Sequence, residues 1–457
     1  MFLFRVLLFI FFAMNSVVYA LKIEIKSGQV KPDPIAIVDF YDDGGDDSQD
    51  GSELCDIIKS DLELSGLFVP IDSNVFLETK KDLAMRGPNL KNWGVLNARF
   101  LVHGKVVSRF GNITVTFKLI DVVTGDVMLS IEVKGTKSNF RKLAHSIADY
   151  IYKRITNEDG YFGTNIVYVE TAYNKVSSKR RTRLIKIDQD GQDPRPLTDG
   201  SELVVTPRYS GDGNMIAYIA YNDRGNGALG KSAQVYILDL SSGARRLMIN
   251  ESLMKNLIKK NHGNPVQMTY APRFSPNGEE AVCAIIIDGK SAIYKINFVD
   301  NKLIQLTQHE GIDTSPCFSP DGKQIVFTSN RAGKEAIYLM NTDGSDQKKI
   351  SSGDGKYSQP VWSPRGDLIV FSKQKGGLFF IVVMKTDGSG ERSITSGYLV
   401  EAPCWSSNGR YIVYSGQSGP GAKNVISIVD LTGLHIRQIE THGDGSYPAW
   451  SPSVASP

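Results

Sequence analysis

Residues Pro316–Phe327 read PCFSPDGKQIVF, and the return of that phrase organises most of the chain. A short apolar run ends in an aromatic residue. A Ser-Pro-Asp-Gly turn follows, whose glycine supplies the positive φ that a tight bend requires, and a second apolar run begins at Gln324. The phrase stands again at Pro207-RYSGDGNMIAY, Pro272-RFSPNGEEAVC, Pro360-VWSPRGDLIVF, Pro403-CWSSNGRYIVY and, cut short, at Pro448-AWSPS. Successive prolines are 65, 44, 44, 43 and 45 residues apart. A period in the low forties, written in short strands and turns, is the signature of a β-propeller. Third strands with a Tyr anchor follow, as in Gln234-VYILDL, Ala292-IYKINF and Ala336-IYLMNTDG. Short polar stretches such as Gln305-LTQ and Ser393-ITS supply a fourth strand, so each repeat predicts one four-stranded blade.

The last copy stops after its first strand, which would leave an open sheet edge. Its missing partners stand earlier in the chain. Residues 163–171 (GTNIVYVET) match a second strand, 182–190 (TRLIKIDQD) a third, and Arg195–Thr198 a fourth. The expectation is a six-bladed all-β propeller over 163–457, its ring closed by pairing the C-terminal strand with early ones. The long first interval carries an excess of about 21 residues, mainly over Glu251–Gln267 and partly near Arg224–Lys231. In Ser252-LMKNLIKK, apolar residues at 253, 254, 257 and 258 have helical spacing.

Ahead of the repeats the pattern changes. Pro34-IAIVDF reads as a buried strand, Glu53–Ser65 as a helix ending at Gly66, and Leu67-FVPID as another strand. Three strands begin near Ala98, Asn112 and Asp126, and Leu143, Ile147, Ile151 and Ile155 mark the inner stripe of a helix. This predicts an α/β domain over 21–158. Residues 1–20, with Arg5 before an apolar run and small residues at 18 and 20, read as a signal peptide cleaved after Ala20. The apolar run falls short of the ~20 residues of a membrane span, so an exported, monomeric protein is expected.

The 457 residues carry 52 Lys+Arg and 49 Asp+Glu, a net charge of +3 that demands no nucleic-acid partner. The four cysteines, one in a helix and three in separate repeats, read as small buried hydrophobes rather than disulfides. The six histidines form no metal-spaced pair. Asp46-DSQDG opens like a calcium loop, but Ile57 stands where a bidentate Glu belongs. Related propellers accompany prolyl-peptidase-like hydrolases, yet a G-x-S-x-G elbow is missing, since Gly416-QSGP has the wrong spacing. No catalytic residue, metal or cofactor is assigned. A binding scaffold is expected, with a hydrolase relative or a small-ligand propeller as the alternatives.

The repeats, the preceding α/β domain, and the segments Leu21-KIEIKSG, Lys59-SDLELSGLFVPID and Trp93-GVLNARFLVHGKV together resemble the TolB family. The resemblance implies a periplasmic component of the Tol-Pal system, acting in outer-membrane integrity, protein import and constriction at cell division. It implies two partners. The lipoprotein Pal would meet the propeller mouth at Ala271, Thr314 and Ser315, with Thr206, Gln359, Ala402 and Tyr447 on the same rim. Ser315 stands where an acidic residue is implied. TolA would meet the N-terminal segment through Leu21, Lys22, Ile23, Glu24 and Ile25, within a mobile stretch 21–33 able to add a strand to a partner.

Overall fold

The computed structural model describes residues 31–42, 49–173, 180–221 and 233–453. The signal peptide, the segment Leu21–Ile25, the acidic stretch at 46 and the insertion near 224–231 lie outside those residues.

In chain order the first part forms β1 (Asp33–Ile37), β2 (Tyr41–Asp42), α1 (Asp50–Leu64), β3 (Phe68–Pro70), α2 (Lys80–Arg86), α3 (Leu90–Val95), β4 (Phe100–Arg109), β5 (Asn112–Asp121), β6 (Val127–Thr136) and α4 (Phe140–Thr156). The sheet runs β3-β1-β4-β5-β6 with β2 beside β4, and β1 is parallel to both of its neighbours. Helices α1 and α4 pack together, burying Leu54, Ile58 and Leu62 with Leu143, Ile147 and Ile151 against the sheet. Helix α1 starts at Asp50, three residues before the expected Glu53. The buried Asp50 carboxylate explains this, because Ser108 Oγ and Lys137 Nζ both donate to it at 2.5 Å and fix the first turn to the sheet.

One boundary needs correcting. The mobile stretch was expected to run to Asp33, but Asp33 already belongs to β1. Its N–H donates to Leu67 O at 2.9 Å and its carboxylate meets Arg99 at 3.0 Å.

The repeats form antiparallel four-stranded units. The first contains β10–β13 (Leu203–Tyr209, Met215–Tyr221, Ala233–Asp239, Arg245–Leu247), reached after β7 (Asn165–Tyr173), β8 (Arg180–Asp188) and β9 (Arg195–Pro196). The second contains helix α5 (Glu251–Lys260) ahead of β14–β17 (Val266–Phe274, Glu280–Ile287, Lys290–Asn297, Lys302–Gln305). These two share one parallel pair, Ala233↔Met268. The third is β18–β21 (Asp313–Phe318, Gln324–Ser329, Ala336–Asn341, Lys348–Lys349) and the fourth β22–β25 (Lys356–Trp362, Leu368–Lys375, Leu378–Lys385, Arg392–Gly397). The fifth is β26–β29 (Leu399–Trp405, Tyr411–Gln417, Val425–Asp430, Ile436–Ile439). The remaining sheet joins the two ends of the repeat region in the order β30-β7-β8-β9, with β30 spanning Asp444–Trp450. Trp450 pairs with Ile166 in register, and its indole N–H donates to Thr164 Oγ1 at 2.7 Å.

The turn between first and second strands has a repeated mechanism. In each full copy the glycine N–H returns to the serine carbonyl, as in Gly213→Ser210 at 3.0 Å and Gly322→Ser319 at 2.9 Å. The serine Oγ accepts from the first residue of the next strand, Met215, Glu280, Gln324 or Tyr411, at 2.9–3.0 Å. The glycine takes φ between 67° and 77°, which the motif needs and other residues resist. Helix α5 of the insertion is capped by Asn250, whose Oδ1 accepts from Leu253 N at 3.0 Å, and buries Leu253, Met254 and Leu257.

Candidate functional site

The first strand of every unit carries the same irregularity. Thr206, Ala271, Ser315, Gln359, Ala402 and Tyr447, the residues before the repeat prolines, all adopt φ of 51–54°. At each of them the register with the second strand shifts. Two residues, the left-handed one and its proline, face a single residue of the neighbour: Tyr218, Cys283, Phe327, Phe371, Tyr414 and Tyr168 respectively. These are β-bulges. Proline has no N–H to give to the ladder, and the residue before it is barred from the right-handed helical region, so the strand swells at this point. A non-glycine residue held left-handed costs about 1 kcal/mol or more, and strain of this kind accumulates where a fold re-aims side chains.

The bulges converge. Thr206, Ala271, Ser315 and Gln359 line one throat of 50 Å³ together with Pro272, Pro316 and Pro360. On its other side the channel widens to a cavity of 460 Å³ walled by Phe274, Phe318, Trp362, Trp405 and Trp450. Four of the residues expected on the rim thus lie in the neck of the channel. Thr314 and Tyr447 are half-buried nearby, and Thr314 Oγ1 stands 3.5 Å from Ser315 Oγ. Ala402 corrects the expectation, because it is completely buried rather than on a rim. The side chain of Gln359 crosses from the neighbouring unit and its Oε1 accepts the Ala402 N–H at 2.8 Å, closing that position off.

The two faces of the repeat array differ in what they meet. Strand ends, taken with the antiparallel register, put the Ser-x-x-Gly turns on one face and the starts of the first strands on the other, here called the turn face and the mouth face. Among the described residues, the bonds from the α/β domain reach the turn face. Tyr411 donates to Ser65 O at 2.6 Å, Asn408 to Asp159 O at 3.0 Å, and Arg365 and Arg410 hold Glu158 at 3.2 and 3.1 Å. Rings of Tyr152, Tyr161, Phe162, Tyr411 and Trp450 form one cluster across the junction, with Tyr161 and Tyr411 4.6 Å apart. The mouth face is left open by the described residues, and it displays exposed Tyr173, Leu203, Tyr221, Ile312, Leu378 and Tyr398. These six belong to five different units, and the turn face has exposed apolar residues of its own at Val299, Leu434 and Ile436.

The junction also holds a buried charge cluster that pattern reading missed. His145 Nδ1 lies 2.7 Å from Asp61 Oδ2, and Gln189 Nε2 donates to Asp61 Oδ1 at 2.9 Å. Burial opposes charge on His145, but hydrogen bonds to Asp188 and Asp61, with the charges of Asp61 and Asp190, raise its pKa to about 10. The ring is an imidazolium, so its Nε2 donates toward Asp188, 3.5 Å away, and Arg141 Nη2 at 3.4 Å is a like-charged neighbour. His145, Asp188 and Asp190 bring their ligand atoms within 4.8 Å of one another, the only such grouping among the described residues that has the composition of a metal site. Arg141 occupies it instead, reaching Asp188 at 2.9 Å and Asp190 at 2.5 Å, so a guanidinium supplies the cation. Spacings of 47, 84 and 128 residues hide this assembly from any local motif.

Comparison with known proteins bears on both parts of the chain. Residues 21–128 match the family described as the TolB amino-terminal domain, and residues 152–454 match the TolB beta propeller domain. A protein of Paramagnetospirillum magneticum, "Tol-Pal system protein TolB", is 43% identical over 230 residues, which are 50% of this chain and 49% of that relative. The chain therefore spans about half the length of that relative in the match. The crystal structure of TolB from Acinetobacter baumannii is similar over 93% of this chain and 97% of its own, with a TM-score of 0.77 at 24% identity. That likeness covers the α/β domain and the β-propeller together. No helix among the described residues is long and apolar enough to cross a membrane.

Proposed function

The chain belongs to the TolB family, and on that premise we propose that it is a periplasmic, non-enzymatic scaffold of the Tol-Pal system, which holds Pal at the mouth of its propeller and TolA through its N-terminal segment. The reading takes the six units as blades of one ring closed by β30 against β7, and takes outer-membrane integrity and constriction at division as the process served. The observation that carries it is the asymmetry of the two faces. The α/β domain covers part of the turn face, whereas the mouth face offers six exposed apolar residues around the bulged strands. A partner docked there would bury aromatic and aliphatic anchors at the centre of its interface, where binding energy concentrates. Contact through Ala271, Thr314 and Ser315 remains part of the proposal, with Thr206 and Gln359 beside them in the throat and Tyr447 nearby.

The test is a calorimetric titration of the mature protein with the soluble domain of Pal, comparing wild type with Ala271→Glu. Ala271 and its replacement share the same backbone constraint, so the fold is unaffected while a charge enters the throat. Affinity should fall at least tenfold. Unchanged affinity would remove Pal from the mouth face. For TolA the corresponding test is deletion of 21–30, which spares the anchored Asp33.

A further inference from the structure

The residue after each repeat proline completes the channel wall, and in two neighbouring units that residue is arginine. Arg208 and Arg273 line both the throat of 50 Å³ and the wider cavity of 460 Å³, so their side chains stand at the boundary between them. Arg208 is only 9% exposed. Its guanidinium has one protein acceptor among the described residues, the Pro207 carbonyl at 2.6 Å, and neither arginine has a carboxylate partner among those residues. Arg273 and Cys404 of the fifth unit line the same wider cavity. Burial raises the Cys404 thiol, and the charge of Arg273 is close enough to oppose that rise. Glu401, on the mouth side of the same unit, is not paired with them, since burial raises its carboxyl with no cation in opposition.

Two guanidinium groups stand beside one narrow cavity without a carboxylate, and for the buried Arg208 an unpaired charge is costly unless a counter-ion balances it. A second feature points the same way. Thr206 Oγ1, on the wall of the throat, is buried and has no hydrogen-bond partner. At roughly 10–15 Å³ per water-sized sphere the throat has room for about four waters, and it opens past both arginines into the wider cavity. Planar guanidinium forks bind carboxylate and phosphate oxygens in pairs of parallel hydrogen bonds.

We propose that the channel neck is an oxyanion site, in which Arg208 and Arg273 bind a phosphate or carboxylate group that also accepts from the Thr206 hydroxyl. The group arrives as a free ion or as an acidic side chain threaded from the mouth face. The site lies in the wall of the channel and does not depend on which protein docks above it.

The experiment measures thermal unfolding of the mature protein while sodium phosphate replaces sodium chloride at constant ionic strength, with sodium acetate in a parallel series. A saturable rise in Tm is expected in wild type. Its midpoint concentration should move at least tenfold upward in Arg208→Gln/Arg273→Gln. Because Arg208 is buried and its loss can disturb folding, Arg273→Gln alone is measured as well, and a severalfold weakening is expected there. Saturation by phosphate points to a free ion, and saturation by acetate alone, lost in the same variants, points to a carboxylate delivered by a partner. A response no larger than that to chloride, or the same midpoint in wild type and Arg273→Gln, would overturn the proposal.

Discussion

Replacing His145 with alanine removes the cation that pairs directly with Asp61 in the buried junction between the two parts of the chain. Asp61 is completely buried, and without the imidazolium its carboxylate keeps one donor, the Gln189 amide at 2.9 Å. Breaking a buried ion pair from one side costs about 3–5 kcal/mol, because the remaining charge is stranded. Burial opposes charge on His145, but hydrogen bonds to Asp188 and Asp61 raise its pKa to about 10, so the same contacts tie stability to pH. The sign follows from the direction of the shift. The folded protein binds this proton more tightly than the unfolded chain, so the stabilisation is complete below pH 6.5 and is lost as pH rises through about 10. Urea unfolding, followed by tryptophan fluorescence, should therefore show the largest gap between wild type and His145→Ala near pH 6.5, with the gap narrowing at about pH 9.5. Adding Asp61→Asn to His145→Ala should restore part of the loss, since the stranded charge is then gone. A gap below about 1 kcal/mol at pH 6.5, or one of equal size at both pH values, would refute the charge argument and leave only packing.

Three further outcomes are expected. Gln359→Ala deprives the buried Ala402 N–H of its acceptor and should cost about 1–3 kcal/mol in chemical denaturation, whereas a surface glutamine such as Gln192 replaced in the same way should change little. Ala271→Glu should weaken Pal binding in a titration while shifting Tm by no more than about 2 °C, the range of a near-neutral substitution. Deleting residues 21–30 should abolish capture of TolA and leave Pal affinity unchanged, and equal TolA capture by the truncated protein would contradict the role given to Leu21–Ile25.

The repeat phrase made the strand order readable, because each Ser-x-x-Gly turn is a local device whose hydrogen bonds all lie within five residues. The pairing of β30 with β7 could also be anticipated, since a single orphan strand at one end and three at the other complete each other. The bulges were written in the sequence but were not read from it. A proline in the middle of a strand cannot pair on its N–H side, so six such prolines demand six interruptions. Their consequence, that four of the preceding residues line the channel neck, depends on the direction of the bulge, which the sequence does not state. The burial of Ala402 depends on Gln359, 43 residues away in another unit. The charge cluster was hidden for the same reason: Asp61, His145, Gln189 and Arg437 meet only when two differently patterned parts pack together. A lone histidine on a helix gives no sign of its future neighbours.

The central claim is that partner binding belongs to the mouth face and the α/β domain to the turn face. Amide hydrogen exchange of the mature protein, with and without a saturating soluble domain of Pal, tests this most directly. Protection should appear at the starts of the first strands, around Val266–Ala271, Asp313–Ser315 and Lys356–Gln359, and the turns at Ser210–Gly213 and Ser319–Gly322 should exchange as before. Protection confined to those turns or to the α/β domain would contradict the account.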